Sequence, residues 1–238
     1  MTSGTDLDVM TGQALQELPA GSGFDTQLNM LTEGFRRQAP SDFAKFETFI
    51  SQLANSDQFK AALKPGDSFP SFDLPDANGA LVSSSGLLAR GPLLMTFYRG
   101  EWCPYCNIAL KALQDKLPAI SAAGVTLVAV SPQLPDHSLT TRQKQGLAYP
   151  VLSDTGNILA RQLGIVFALS EEIKPLYKAF HIDLLARNGE ATFELPVPAS
   201  YLVGQDGVIL ERYLDPDYRR RFDPATALDW IRIHGARR

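Results

Sequence analysis

Two cysteines are the residues of this chain whose type and spacing most clearly suggest chemistry, because they are the only two among 238 residues. Cys103 and Cys106 form a Cys-x-x-Cys motif between an apolar run at 93–98 and an amphipathic helical pattern. In a cysteine-poor chain, this spacing favours a redox pair that cycles between dithiol and disulfide. A structural zinc ion takes about four protein ligands, and the scattered histidines lack ligand spacing, so we predict no metal site.

The position of the pair relative to the predicted helix indicates which thiol is more acidic. Pro104 suits a first helical turn, where its missing N–H costs nothing, and this places Cys103 at the helix N-terminus. Free backbone N–H groups and the helix dipole favour a thiolate there. We therefore expect the pKa of Cys103 to lie below the ordinary value of about 8.5, with Cys106 one turn further on and facing inward.

Composition excludes several classes of protein. Apolar content of 45% and charged content of 20% are typical of a globular chain. The net charge of −4 does not indicate binding to nucleic acid or to an anionic membrane surface. We expect the run Arg219–Arg221 to be a solvated helix end. The sequence contains no apolar run of membrane-spanning length and no secretory signal at residues 1–6. With only two cysteines, this pattern predicts a cytoplasmic protein.

The hydrophobic periodicity predicts an α/β fold with helices on both faces of a central sheet. We predict a flexible N-terminus at 1–24 with a short helical patch near Leu15, a helical extension at 25–64 and one domain at 65–238. The predicted strands lie at 69–74, 80–82, 93–98, 125–130, 200–204 and 208–213. The predicted helices lie at 26–37, 41–55, 57–63, 104–123, 136–145, 157–163, 169–180 and 224–234.

The second predicted helix has an unusually aromatic face, with Phe43, Phe46 and Phe49 on one side and Ser41 as its expected N-cap. Such a face must be buried. It covers the domain that follows or forms the interface of a homodimer, and the sequence leaves both possibilities open.

With these elements placed, residues 66–235 resemble the alkyl hydroperoxide reductase/thiol-specific antioxidant family, which has a thioredoxin fold. The segment 65–76 followed by Gly79 is similar to the family's entry segment, and Phe97–Gly100 is similar to its active-site strand. The stretch 150–166 is similar to the family's region between the third strand and the next helix. The resemblance implies a peroxiredoxin-like thioredoxin fold, a mixed central β-sheet flanked by helices, here with an N-terminal helical extension.

The departures from the family pattern bear on mechanism. Counted from Phe97, the family's peroxide-attacking cysteine corresponds to Cys106, and its usual threonine corresponds to Cys103. Arg99 stands near the position of the family's active-site proline. Pro198 stands where the family has an arginine, and it is similar to the cis-proline segment of thioredoxin-like reductases.

Several neighbours of the cysteines are candidate supporting residues, each with an ordinary structural alternative. Trp102 is expected to be an exposed lid beside the thiols or to pack on its loop. Arg99 stabilises a thiolate or a bound peroxide, or is solvated and paired with Glu101. Tyr105 tunes the pair or faces solvent, and Pro198 is either the reductase-like proline or an ordinary edge-strand proline.

The resemblance and the motif together predict a thiol-dependent oxidoreductase. It would reduce hydroperoxides through a Cys103/Cys106 dithiol–disulfide cycle that an external thiol of the thioredoxin or glutathione type regenerates. Two alternatives stay open: a disulfide reductase, or a non-catalytic binding module with a thioredoxin fold. No cofactor is predicted. The resemblance supplies no role for the segment 169–197.

Overall fold

A five-stranded mixed sheet forms the centre of the computed structural model, which describes Thr11 and residues 21–235. The predicted helical patch near Leu15 lies outside these residues. The strands of the sheet are β3 Leu93–Phe97, β4 Thr126–Ser131, β5 Val151–Ser153, β8 Ala199–Val203 and β9 Ile209–Leu214. Their order in the sheet is β5-β4-β3-β8-β9, with β3 parallel to β4, β4 parallel to β5, and the other two neighbouring pairs antiparallel.

The other described elements are helices and two pairs of short strands outside the central sheet. The helices are α1 Phe24–Gln38, α2 Pro40–Ala54, α3 Ser84–Leu88, α4 Pro104–Ala122, α5 Pro135–Gln145, α6 Ile158–Gln162, α7 Lys174–Ala179, α8 Leu184–Asn188 and α9 Pro224–Gly235. Two antiparallel pairs complete the fold, formed by β1 Asp73–Pro75 with β2 Leu81–Ser83 and by β6 Val166–Ala168 with β7 Glu194–Pro196. Among the described residues, no helix is long and apolar enough to cross a membrane.

Alternate residues of the central strands belong to two hydrophobic clusters, one on each face of the sheet. Leu94 of β3 joins the cluster that contains α4 and the two N-terminal helices, whereas Leu93, Met95 and Phe97 join the other cluster. This is the period-two pattern of a strand buried on both faces. It fixes the end of β3, and therefore the start of the loop that carries the cysteines.

The N-terminal helices α1 and α2 pack on the same side of the sheet as α4. Phe46 lies 6.2 Å from Phe180 and 6.4 Å from Tyr177, measured between ring centroids, and Phe49 lies 6.0 Å from Phe167. The aromatic face therefore packs against the core of its own chain, which is the first of the two arrangements that the sequence left open. The division of the chain into an extension and a domain stays a prediction.

The sequence-based elements differ from the structure in several places. Residues 57–63 form turns rather than a helix, and the N-cap of α2 is Ala39, because Pro40 already occupies the first turn and Ser41 lies inside the helix. Only the last part of the predicted 69–74 strand pairs, as β1. Five short elements were not predicted, namely α3, β5, β6, α8 and β7, because three to five residues carry too little periodicity.

Candidate active site

The end of β3 and the first turn of α4 place both cysteines in the core. Cys103 is the N-cap of α4, and its sulfur accepts a hydrogen bond from the backbone N–H of Cys106 at 3.3 Å. Pro104 fills the first helical position, as its fixed φ favours. Cys103 is 0% and Cys106 1% exposed. The sequence argument located the helix terminus correctly, and both thiols are buried there.

Two guanidinium groups lie against the sulfurs. Arg99 Nη2 donates to Cys103 Sγ at 3.1 Å, and Arg221 Nη2 lies 3.5 Å from Cys103 Sγ and 3.3 Å from Cys106 Sγ. Arg99 is 4% exposed and Arg221 8% exposed. The site therefore holds two buried cations and two thiols within hydrogen-bond distance, an arrangement that favours a thiolate.

These contacts move the pKa values of the two thiols in opposite directions. Burial by itself raises the pKa of Cys103, but the hydrogen bond from Cys106 and the charges of Arg99 and Arg221 outweigh it and hold that pKa well below its ordinary value. Burial, together with the hydrogen bond to Cys103, raises the pKa of Cys106 well above its ordinary value. These opposite shifts favour a reduced pair in which Cys103 carries the negative charge and Cys106 keeps its proton.

Aromatic side chains hold Arg99 in place. Its guanidinium lies over the ring of Tyr218 at 3.6 Å and near the ring of Trp102 at 5.0 Å, and its Nη1 donates to the Tyr177 hydroxyl at 3.2 Å. Trp102 itself is buried against Tyr177, with ring centroids 5.2 Å apart. Tyr177 lies on α7, so the segment 169–197, whose role could not be inferred from the sequence, contributes a wall of the site.

The loop before the cysteines is tied down by polar contacts. The backbone N–H of Glu101 donates to Gln133 Oε1 at 2.9 Å, and the Glu101 carboxylate contacts Arg187 and lies 3.3 Å from His137 Nδ1. Asn107 donates to the Glu101 carbonyl at 2.8 Å. The partners of the Glu101 carboxylate are therefore Arg187 on α8 and His137 on α5. The alternative in which Arg99 is solvated and paired with Glu101 was wrong.

Two cavities flank the pair. One, of about 20 Å³, is lined by Cys106, Arg221, Pro198 and neighbouring residues of β3, α4 and β8. The other, of about 40 Å³, lies between Arg99, Trp102 and the aromatic side chains of α1, α2 and α7. A buried water needs roughly 10–15 Å³ by such a measure, so each cavity accepts only a molecule or group of a few atoms.

The remaining predicted residues have mixed outcomes. Trp102 is not an exposed lid, because Tyr177 and Arg99 cover it. Tyr105 does not face solvent, since it is 5% exposed and its hydroxyl lies 3.0 Å from that of Thr32 on α1. Pro198 is buried and borders the same cavity as Cys106, but no peptide bond among the described residues is cis. The cis-proline prediction was therefore wrong: Pro198 lies in the two-residue connection between β7 and β8, with a trans peptide bond.

Sequence reasoning missed Arg221, Tyr218 and the role of Tyr177. The run Arg219–Arg221 was expected to be solvated, yet Arg219 pairs with Asp217 and Arg221 is buried at the sulfurs. One signal was available in the sequence, namely that the family's downstream arginine was missing at Pro198. An arginine from elsewhere in the chain was therefore a candidate for the same place.

Comparison with known proteins gives a consistent result. The model of the AhpC/TSA family matches residues 65–212, more than half of the chain. Peroxiredoxin Bcp of Escherichia coli is 26% identical over 172 residues, covering 72% of this chain and 97% of that protein. A Mycobacterium tuberculosis protein that carries the provisional name of peroxiredoxin is 38% identical over 92 residues, and the match spans 39% of this chain and 58% of that relative.

Solved structures agree at the level of the fold. Peroxidoxin BcpB from Mycobacterium tuberculosis superimposes with a TM-score of 0.57 at 20% identity, covering 72% of this chain and 97% of that structure. Peroxiredoxin Q of Xanthomonas campestris gives a TM-score of 0.55 at 17% identity, covering 74% and 98%. The predicted mixed sheet of the peroxiredoxin-like thioredoxin fold is thereby confirmed.

Proposed function

This chain belongs to the AhpC/TSA family, and we propose that it is a thiol peroxidase that reduces hydroperoxides through Cys103 and Cys106. The observation that carries the proposal is the pair of buried guanidinium groups, from Arg99 and Arg221, within 3.5 Å of the sulfurs. Preorganised cations in a water-excluded site stabilise both a thiolate and the negative charge that develops on a departing oxygen.

The burial of the pair favours a small substrate. Cys103 is 0% and Cys106 is 1% exposed, and the cavity beside Cys106 has a volume of about 20 Å³. A peroxide O–O group is only a little larger than a water molecule, so it fits such a cavity. A folded protein disulfide needs an exposed sulfur, which this conformation does not offer, so the disulfide-reductase alternative is the less favoured of the two.

We assign the first attack to Cys106, which matches the family's attacking cysteine by its spacing from Phe97 and borders the cavity with Arg221. Cys103 serves first as the base. As the peroxide binds, the Cys106 proton moves to the Cys103 thiolate, against the resting order of the two pKa values, and Arg221, 3.3 Å from Cys106 Sγ, stabilises the Cys106 thiolate that forms. Cys106 then attacks the distal peroxide oxygen. The O–O bond breaks, Cys106 becomes a sulfenic acid, and the leaving alkoxide takes up the proton held by Cys103 to form an alcohol.

The second half-reaction closes the disulfide. The Cys103 thiolate attacks the Cys106 sulfenic acid, the S–S bond forms, and hydroxide leaves. The site supplies two electrons in total, and an external thiol of the thioredoxin or glutathione type must restore them. A cytoplasmic location, where such thiols are available, and a homodimer both remain predictions.

The test is a stopped-flow comparison of the fully reduced protein with one equivalent of hydrogen peroxide and, separately, of a model mixed disulfide. We expect rapid loss of two thiols per chain with peroxide, and none in the double variant Cys103→Ser/Cys106→Ser. A slow peroxide reaction together with a fast disulfide reaction would identify a disulfide reductase instead. Indifference to both would identify a binding module.

A further inference from the structure

The charge balance at the sulfurs depends on the redox state. Among the ion pairs of the part of the chain that the structure describes, none includes Arg99 or Arg221. Their other close neighbours are aromatic rather than acidic. Burial raises the pKa of Tyr177 and of Tyr218, so both phenols stay neutral beside Arg99. The Cys103 thiolate is therefore the anion that faces these two cations in the reduced protein.

Disulfide formation removes that anion. The two guanidinium groups, 4% and 8% exposed, are then left in the core with no acidic side chain facing them. A buried charge that loses its partner is strongly unfavourable. The reduced protein is thus stabilised by contacts that the oxidised protein cannot make, and this difference must appear in the equilibrium between the two forms.

We propose that Arg99 and Arg221 make the Cys103–Cys106 disulfide a strong oxidant, so that monothiols of low molecular weight suffice to reduce it. The inference rests on the proposed function only for the way in which the disulfide arises. One further feature points the same way. The motif closes a loop of very few residues, so the cross-link itself adds little stability to the oxidised form.

The reduction balances without any further reactant. A monothiol attacks Cys106 as a thiolate, the S–S bond breaks, and Cys103 leaves as the thiolate that the two arginines stabilise. A low-pKa leaving thiol departs faster. A second monothiol attacks the mixed disulfide and releases the symmetrical disulfide of the reductant. Of the two thiol protons consumed, one ends on Cys106 and the other is released to solvent.

The experiment equilibrates the wild-type protein in glutathione buffers of varied ratio and measures the fraction of disulfide after acid quenching and alkylation. The variants are Arg221→Gln and Arg99→Gln. Arg220→Gln is the matched control, because Arg220 adjoins Arg221 in sequence but has a side chain that is 73% exposed. We expect each buried variant to make the disulfide at least about tenfold harder to reduce, which is about 30 mV for two electrons. The control is expected to stay at the wild-type ratio.

A second measurement does not depend on the variants folding. Urea unfolding of the wild-type protein, oxidised and reduced, is expected to show the oxidised form as the less stable one, the reverse of the usual effect of a disulfide. Equal glutathione equilibria for Arg221→Gln, Arg99→Gln and wild type would overturn the inference, as would an oxidised form that is more stable than the reduced one. Neither readout uses peroxide, so a chain without peroxidase activity can still pass or fail this test.

Discussion

Arg221 Nη2 lies 3.3 Å from Cys106 Sγ, although 115 positions separate the two residues in the sequence. The segment after β9 brings this arginine to the N-terminal turn of α4. Arg99, four positions before Cys103, reaches the other sulfur. One cation is therefore supplied by a residue close in sequence and the other by the tertiary fold.

The order of attack is tested with single cysteine variants. If Cys106 attacks peroxide first, Cys103→Ser still consumes one equivalent of peroxide, more slowly because the base is lost, and stops as a sulfenic acid on Cys106. Dimedone trapping followed by mass spectrometry detects that adduct. Dimedone labelling of Cys103 in Cys106→Ser, with Cys103→Ser inert, is the contrary outcome and reverses the two roles.

The pKa of Cys103 is expected to depend on Arg99. In Cys106→Ser, the rate of alkylation against pH should inflect well below the ordinary thiol value of about 8.5, because both guanidinium groups remain. Adding Arg99→Gln removes the closer cation and should move the inflection upward by about one unit or more. An inflection at the free-thiol value in Cys106→Ser alone contradicts the assignment of the thiolate to Cys103.

The stability of the reduced protein should depend on pH through the same thiol. Because the folded-state pKa of Cys103 is depressed, its contribution is fully present above the unfolded value of about 8.5 and is lost as pH falls through the lower folded value. The free energy of unfolding should therefore rise between about pH 7 and 8.5 by up to about 1.4 kcal/mol per unit. Urea titrations of wild type and Cys103→Ser at each pH measure the difference in slope. Parallel curves argue against a depressed pKa.

Tyr177 and Tyr218 are expected to act as positioning residues through Arg99. Tyr177→Phe removes the hydroxyl that accepts from Arg99 Nη1, and Tyr218→Leu removes the ring beneath the guanidinium. Each substitution should raise the pKa of Cys103, measured from the rate of alkylation against pH, by several tenths of a unit or more. Tyr149→Phe is the control, because its hydroxyl donates to the Leu110 carbonyl and does not touch the arginines. It should lower stability while the pKa of Cys103 stays unchanged.

The N-terminal helices are expected to stabilise the site as well as the core. Phe46→Ala should cost about 3–5 kcal/mol of unfolding free energy, because Phe46 packs on both Tyr177 and Phe180. Deletion of residues 1–63 removes the whole aromatic face and should lower the melting temperature markedly. Calorimetry and size-exclusion chromatography measure both effects. An unchanged melting temperature and oligomeric state after deletion is incompatible with this interpretation.

Local sequence determined the positions of the two cysteines relative to the helix that carries them. The 3.6-residue periodicity after Pro104 located the helix, and Pro104 itself located the helix N-terminus at Cys103. The apolar run at 93–98 and the strands at 126–131 and 199–203 were identified to within one residue, since buried strands and amphipathic helices leave regular patterns in sequence. The family could be inferred from the same stretches because its motifs are contiguous.

Only the tertiary structure decided what surrounds the sulfurs. Arg219, Arg220 and Arg221 are identical in type and adjacent in sequence, yet one pairs with Asp217, one is mostly exposed and one is buried at the cysteines. Likewise, Trp102 is covered by Tyr177 from a distant helix. Which member of such a run is buried depends on how the chain after β9 turns back over α4. That path is fixed by long-range packing, and a charge buried against a thiolate leaves no local pattern in the sequence.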